Sequence, residues 1–390
     1  MNRILDVLTK NKDKYTEIRR KIHQNPELGF EEQDTSNLVA KLLAEWGYEV
    51  HRGLAKTGVV GTLKVGSSDK VIGLRADMDV LPILEKNDKP WISKIPYKFH
   101  GCGHDGHTTM LLCAAEYLAK TKNFDGTLHL IFQPAEETLY GGKHMMDDGL
   151  FDLFPCDVIY AIHNMPSLKK GEFYITKGAM MASSDTVHIE VTGLGGHGAM
   201  PERTIDAAVV ACHIVVALQT IVSRNVAPQE AAVITVGSIQ SGDVPNVINE
   251  KALLKLSVRS LHPDTRSLLL KRITEIAEGQ AKSFDASVKI DHINGSPVLV
   301  NGDQAVDFGV KIATELFGAE KVHTDLSPVM GSEDFAFMLE AHPNGAYFFV
   351  GNGDQPGNCM VHNPGYIFDD DIIIPAAAFW CAITQEYLKK

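Results

Sequence analysis

Residues 98–121, KFHGCGHDGHTTMLLCAAEYLAKT, hold three histidines, a cysteine and an aspartate between His100 and His107, and then turn apolar. His100, Cys102 and His104 alternate, so an extended segment would put their side chains on one side. Gly101 and Gly103 let the backbone approach whatever those side chains face. From Met110 onward the apolar residues Met110, Leu111, Ala114, Ala115 and Leu118 recur at helical spacing. The stretch therefore reads as a strand-to-helix junction, where open α/β sheets keep their binding crevices. Thiolate with imidazole suits zinc and other borderline metals, but two or three donors do not make a site, and the remainder must come from elsewhere.

Outward from this junction, short β-rich runs alternate with helical ones between about residues 57 and 164: VVGTLKV, KVIGLRAD, GTLHLIFQ and DVIYAIHN. That alternation predicts an α/β domain with a central, mostly parallel sheet. Between 187 and 293 the order becomes β-α-β-β-α-β, the split βαβ or ferredoxin-like unit. Such a unit closes its own core, so we expect an inserted α+β domain at 186–294. A discontinuous first domain, 1–185 and 295–390, surrounds it.

Composition narrows the function classes. A chain of 390 residues that is 44% hydrophobic can bury substantial cores. The net charge of −12 and the lack of a basic tract interleaved with aromatics argue against a nucleic-acid partner. The longest apolar run, AAVVACHIVVAL, is interrupted by His213 and falls short of the roughly 20 residues a membrane span needs, so no membrane partner is expected. The charged N-terminal helical pattern is not a signal peptide. Six scattered cysteines form no CxxC pair, and a cytoplasmic protein is the expectation.

Further donors follow, most of them at predicted strand ends, which converge in space. FQPAEE places Glu136 and Glu137 after a strand; if that backbone is extended, one carboxylate faces a metal and the other a water molecule. A solvated acidic pair at a helix start would read the same way. YAIHNMP ends a strand with His163, and VHNPGY offers His362 in a Pro/Gly-rich loop. In GLRADMDVLP, Asp77 and Asp79 stand beside Arg75, whose guanidinium is an alternative partner to a metal. We expect Asp77 to support the ligands rather than join them. No GxSxG, GxxxxGK[ST] or HExxH pattern occurs.

Taken together, HQNPELGFEE, GLRADMDVLP, CGHDGHTTMLLCAAEYLA, FQPAEE, GGHGAMP, GSEDFAFM and VHNPGYIFDDD resemble the metal-dependent amidohydrolase and carboxypeptidase superfamily. That superfamily includes aminoacylases, auxin-conjugate hydrolases and N-acetyldiaminopimelate deacetylase, and the likeness is greatest to its hippurate hydrolase branch. It implies a catalytic domain carrying two divalent metal ions per subunit and a lid domain that also dimerises. Carried over to this chain, the implied ligands are Cys102, His104, Glu137, His163 and His362, with Glu136 as general base and acid. His197 of GGHGAMP matches the family's oxyanion-stabilising histidine, supplied to a neighbouring subunit. Asn246 and Arg259 match positions near the substrate carboxylate. Arg75 stands where many relatives have a histidine ligand, which points to the branch with a cysteine ligand. The implied activity is hydrolysis of N-acyl amino acids by a homodimer or homotetramer. Zinc and manganese lead the metals that suit the mixed ligands, with cobalt and nickel also compatible. The alternatives are a dipeptidase or carboxypeptidase on the same scaffold, and a metal-dependent binding protein that does no chemistry.

Overall fold

The computed structural model describes residues 2–353 and 359–389. Two compact units emerge, one of residues 1–178, 300–327 and 334–390, the other of residues 179–299 and 328–333.

The larger unit is built on an eight-stranded sheet. In spatial order its strands are Glu49–Leu54, Gly58–Val65, Gly126–Gln133, Val71–Asp77, Val158–Pro166, Gly345–Gly353, Phe173–Tyr174 and Val322–His323. The four strands from Gly126–Gln133 to Gly345–Gly353 run parallel to one another. Both faces of a parallel sheet are covered by its crossover helices, so such strands read as continuous apolar runs. Gly345–Gly353 accordingly has every residue buried. Helix His104–Thr121 packs against the C-terminal helix Ile373–Tyr387, which carries the fully buried Trp380.

The smaller unit has four antiparallel strands, in the order Ala232–Gln240, Lys251–Ser260, Ser183–Thr192, Ser287–Ser296. Numbered along the chain that order is 2-3-1-4, the ferredoxin-like arrangement. Strand Ser183–Thr192 alternates buried with half-buried residues, because one face meets helices Ala207–Asn225 and Pro263–Ser283. Val187, Ile189, Val191, Leu254 and Leu256 join Ile214, Leu218, Leu269 and Ile273 in that core. Each such side chain contributes about 1.5–3 kcal/mol by leaving water.

Two features differ from the sequence expectation. The segment Pro328–Glu333 belongs to the smaller unit, because Val329 bridges Met181 and the Ala182 N–H donates to the carbonyls of Val329 and Gly331. The apolar run around His213 also extends further than it reads. Helix Ala207–Asn225 has 19 residues and is long and apolar enough to cross a membrane. Its stripe of Ala207, Val210, Ala211, Ile214, Leu218 and Ile221 is instead packed into the core of this unit.

Candidate metal centre

Parallel strands share a C-terminal edge, and here that edge gathers the donors. Strand Val71–Asp77 ends in Asp77, strand Gly126–Gln133 leads into the turn Glu136–Thr138, strand Val158–Pro166 carries His163, and helix His104–Thr121 starts at His104. Ligand atoms of Cys102, His104 and His163 lie within 4.8 Å of one another. So do those of Cys102, Glu137 and His362, and those of His104, Glu136 and Glu137. Gly103 makes the junction possible: its φ is 87°, and a Cβ there would stand 2.4 Å from Asn164 Nδ2 and 2.6 Å from Tyr366 Oη.

Hydrogen bonds fix which ring nitrogen each histidine presents. His104 Nδ1 lies 3.0 Å from the Asp79 carbonyl and 3.1 Å from Asp79 Oδ1, so Nδ1–H donates and the Nε2 lone pair turns inward. Buried and without a hydrogen-bond partner among the described residues, that Nε2 is 3.8 Å from Asp77 Oδ2, 3.9 Å from Glu137 Oε1 and 4.0 Å from Glu136 Oε2. His163 donates from Nδ1 to its neighbour's carbonyl at 2.5 Å and turns Nε2 to Cys102 Sγ at 3.2 Å. His362 Nε2 is 3.4 Å from Glu137 Oε2. Donor atoms about 2.0–2.3 Å from a shared metal stand roughly 3–4 Å apart, which is the spacing here. The orphaned Nε2 of His104 and Oε1 of Glu137 also fit a divalent cation.

The electrostatics agree. Burial alone would lower the His104 pKa, but Asp77, Asp79 and Glu137 outweigh it and raise it to about 10. Burial raises Glu137 to about 8 even against His104, with Asp79 and Asp77 adding to the effect. The pocket thus gathers more anions than its side-chain cations balance, the condition a bound cation reverses. Burial pushes His163 well below its usual range, leaving the neutral imidazole that ligates.

Supporting residues surround this set. Asp77 accepts from Arg75 Nη1 at 2.8 Å and from His107 Nδ1 at 2.7 Å. The Asn164 N–H donates to His107 Nε2 at 2.9 Å, so the His107 lone pair is used within the protein. Asn164 also donates from Nδ2 to the Cys102 carbonyl at 2.7 Å. Arg75 reaches Gln133 Oε1 at 2.9 Å and Asp334 Oδ1 at 3.2 Å as well. Asp79 links two donors, since its Oδ2 accepts the Glu137 N–H at 2.9 Å while its other oxygen anchors His104. Asp79 was visible in the sequence only as a neighbour of Asp77, and the parts played by His107 and Asn164 gave no sequence signal.

Two expectations are corrected. His100 does not join the donors: it is buried against His23, ring centroids 5.9 Å apart, because the segment before the helix is irregular rather than extended. Glu136 and Glu137 do not alternate along an extended backbone but share a 3₁₀ turn between left-handed Ala135 and Leu139.

His197, Asn246 and Arg259 belong to the smaller unit. His197 lies on a short strand paired with Val247–Ile248, next to Asn246, and both are exposed. The Ala199 N–H donates to His197 Nδ1 at 3.0 Å, which leaves the ring proton on Nε2 in the neutral form. Arg259 is half-buried and donates from Nη1 to the Met330 carbonyl at 2.8 Å and to Ser332 Oγ at 2.9 Å.

A cysteine, imidazoles and paired carboxylates at the C-terminal edge of a mostly parallel sheet define a metal-dependent hydrolase. The model of peptidase family M20/M25/M40 matches residues 73–386, and the chain belongs to that family as a metal-dependent amidohydrolase. It is 47% identical over 389 residues to hippurate hydrolase of Campylobacter jejuni, with 100% of each chain covered. It is 36% identical over 363 residues to N-acetyl-L-cysteine deacetylase of Bacillus subtilis, covering 93% of this chain and 85% of that one. Among solved structures, the YxeP protein of Bacillus subtilis, described as a dinuclear metal-binding peptidase of the M20 family, aligns with a TM-score of 0.84. The identity is 27%, over 98% of this chain and 99% of the other.

Proposed function

We propose that the protein hydrolyses the amide bond of N-acyl-L-amino acids, hippurate-like N-benzoyl or N-acetyl compounds, to a carboxylic acid and a free amino acid. The observation that carries this reading is the convergence of Cys102, His104, Glu137, His163 and His362 on one sheet edge, with the Glu136 carboxylate beside them. Those five residues would hold two divalent ions, zinc or manganese before cobalt or nickel. When bound, such ions polarise the amide carbonyl and lower the pKa of water from 15.7 toward about 7.

The chain's own residues do the rest. Glu136 takes a proton from the attacking water and passes it to the leaving nitrogen. His197, in a homodimer or homotetramer, presents Nε2–H to the oxyanion in the active site of a partner subunit. Arg259 and Asn246 bind the carboxylate of the amino acid. Asp77 keeps the ligand shell in place through His107. The compartment that fits a cysteine thiolate ligand is the reducing cytoplasm.

The test is Glu136→Gln. Retained metal with turnover reduced by about 100- to 10,000-fold is expected. Wild-type turnover in that variant would remove Glu136 from the chemistry, and loss of metal would make it a ligand.

A further inference from the structure

Glu32 is a fully buried carboxylate remote in sequence from every donor above, and among the described residues no basic side chain is bonded to it. Its Oε2 accepts the Thr57 hydroxyl at 2.7 Å, and its Oε1 accepts the Ala135 N–H at 2.9 Å. A buried carboxylate held only by neutral donors is costly, and burial indeed pushes Glu32 up to about 7. Its position at the start of helix Gln33–Glu45 does not account for it, since the side chain makes no capping bond there.

Ala135 does account for it. This residue immediately precedes Glu136 and sits in the left-handed region at φ 54°, which a side chain disfavours. It opens the single 3₁₀ turn Glu136–Thr138. Its carbonyl accepts Thr138 Oγ1 at 2.8 Å, while its N–H is taken by Glu32. The same N-terminal segment closes on Ala135 from the side: a Cβ on Gly29 would lie 2.9 Å from Ala135 Cβ. Immediately after Glu136, the Glu137 N–H is fixed by Asp79. The backbone is thus held by a carboxylate on either side of Glu136, one of which also orients His104.

We propose that Glu32 is a positioning residue for hydrolysis, holding Ala135 in its left-handed conformation so that the following turn aims Glu136 at the attacking water. The inference rests on Glu136 being the base. Glutamine at position 32 keeps an oxygen for the Ala135 N–H, whereas leucine fills similar space with none.

The experiment compares Glu32→Leu and Glu32→Gln, loaded with the same metal, in kcat, KM for a chosen N-acyl amino acid, bound metal, and amide exchange of the peptide spanning residues 130–140. Glu32→Leu is expected to lose about tenfold to a hundredfold in kcat, the cost of a small misplacement. KM and metal content should be unchanged and exchange in that peptide faster. Glu32→Gln should recover most of the kcat. A Glu32→Leu enzyme with wild-type kcat, or a Glu32→Gln enzyme as slow as Glu32→Leu, overturns the proposal. If Glu32→Leu does not fold, Glu32→Leu/Ala135→Gly replaces it, because glycine takes the positive φ without strain. That double variant should fold and turn over, and its failure to do so would also overturn the proposal. The Glu136→Gln measurement stands apart: if it keeps wild-type turnover, the base assignment fails whatever Glu32 does.

Discussion

The donors of the larger unit and the candidate substrate-binding residues of the smaller one are built differently. His104, Glu136 and His163 are buried, and His104 and His163 each have the non-ligating nitrogen tied to a carbonyl. His197 and Asn246 are exposed on a two-residue pairing of short strands, and Arg259 is held by one loop carbonyl and one serine hydroxyl. A metal set must be preorganised to a few tenths of an ångström, whereas groups that meet a substrate need access. Substitutions in the two regions should therefore fail in different ways.

After Glu136→Gln, the largest effect should come from His197→Ala. Loss of one oxyanion donor typically costs roughly 100- to 1,000-fold in kcat, and steady-state kinetics with metal analysis should show that loss with metal content unaltered. Reduced metal content would erase the contrast between the regions. Asp79→Ala should fail in the opposite manner, weakening metal binding by about 10- to 100-fold, because His104 keeps the carbonyl of residue 79 but loses its carboxylate, and the Glu137 N–H loses its acceptor; titration with a competing chelator measures this. Arg259→Ala is expected to raise KM about tenfold, the worth of one charge-assisted hydrogen bond. An unchanged KM would take Arg259 out of recognition and leave it bracing Met330 and Ser332.

The smallest effect lies away from both regions and calibrates them. Burial would raise the Glu116 pKa, but bonds from Lys120, Lys14 and Tyr15 outweigh it and lower it to about 2 from 4.5. A depressed carboxyl contributes stability above its unfolded value that is lost as pH falls through the folded value. Thermal unfolding of the wild type should therefore lose more stability between pH 4.5 and 2 than Glu116→Gln does. Equal slopes would show that these contacts add nothing.

Much of this organisation was legible in the sequence. The β-α-β-β-α-β order shows because each element there has its own periodicity, and donors after apolar strand runs mark a sheet edge. What stayed hidden depends on tertiary contact. Glu32 reads as a solvated acid before a helix, and only the fold brings Ala135 to it. His100 shares the alternation of Cys102 and His104, yet the irregular backbone sends it to His23. His107 looks like another ligand until Asn164 is seen to occupy its free nitrogen. The local pattern gives the residue types, and the hydrogen-bond partners decide which of them face a metal.

The most direct test of the central claim is release of free amino acid from hippurate, a panel of N-acetyl amino acids and matched dipeptides by metal-stripped enzyme, with and without added zinc, manganese or cobalt. The account predicts hydrolysis of at least one N-acyl amino acid that depends on added metal and exceeds hydrolysis of the dipeptides. Stoichiometric metal binding without turnover of any N-acyl amino acid, or turnover of dipeptides alone, would contradict it.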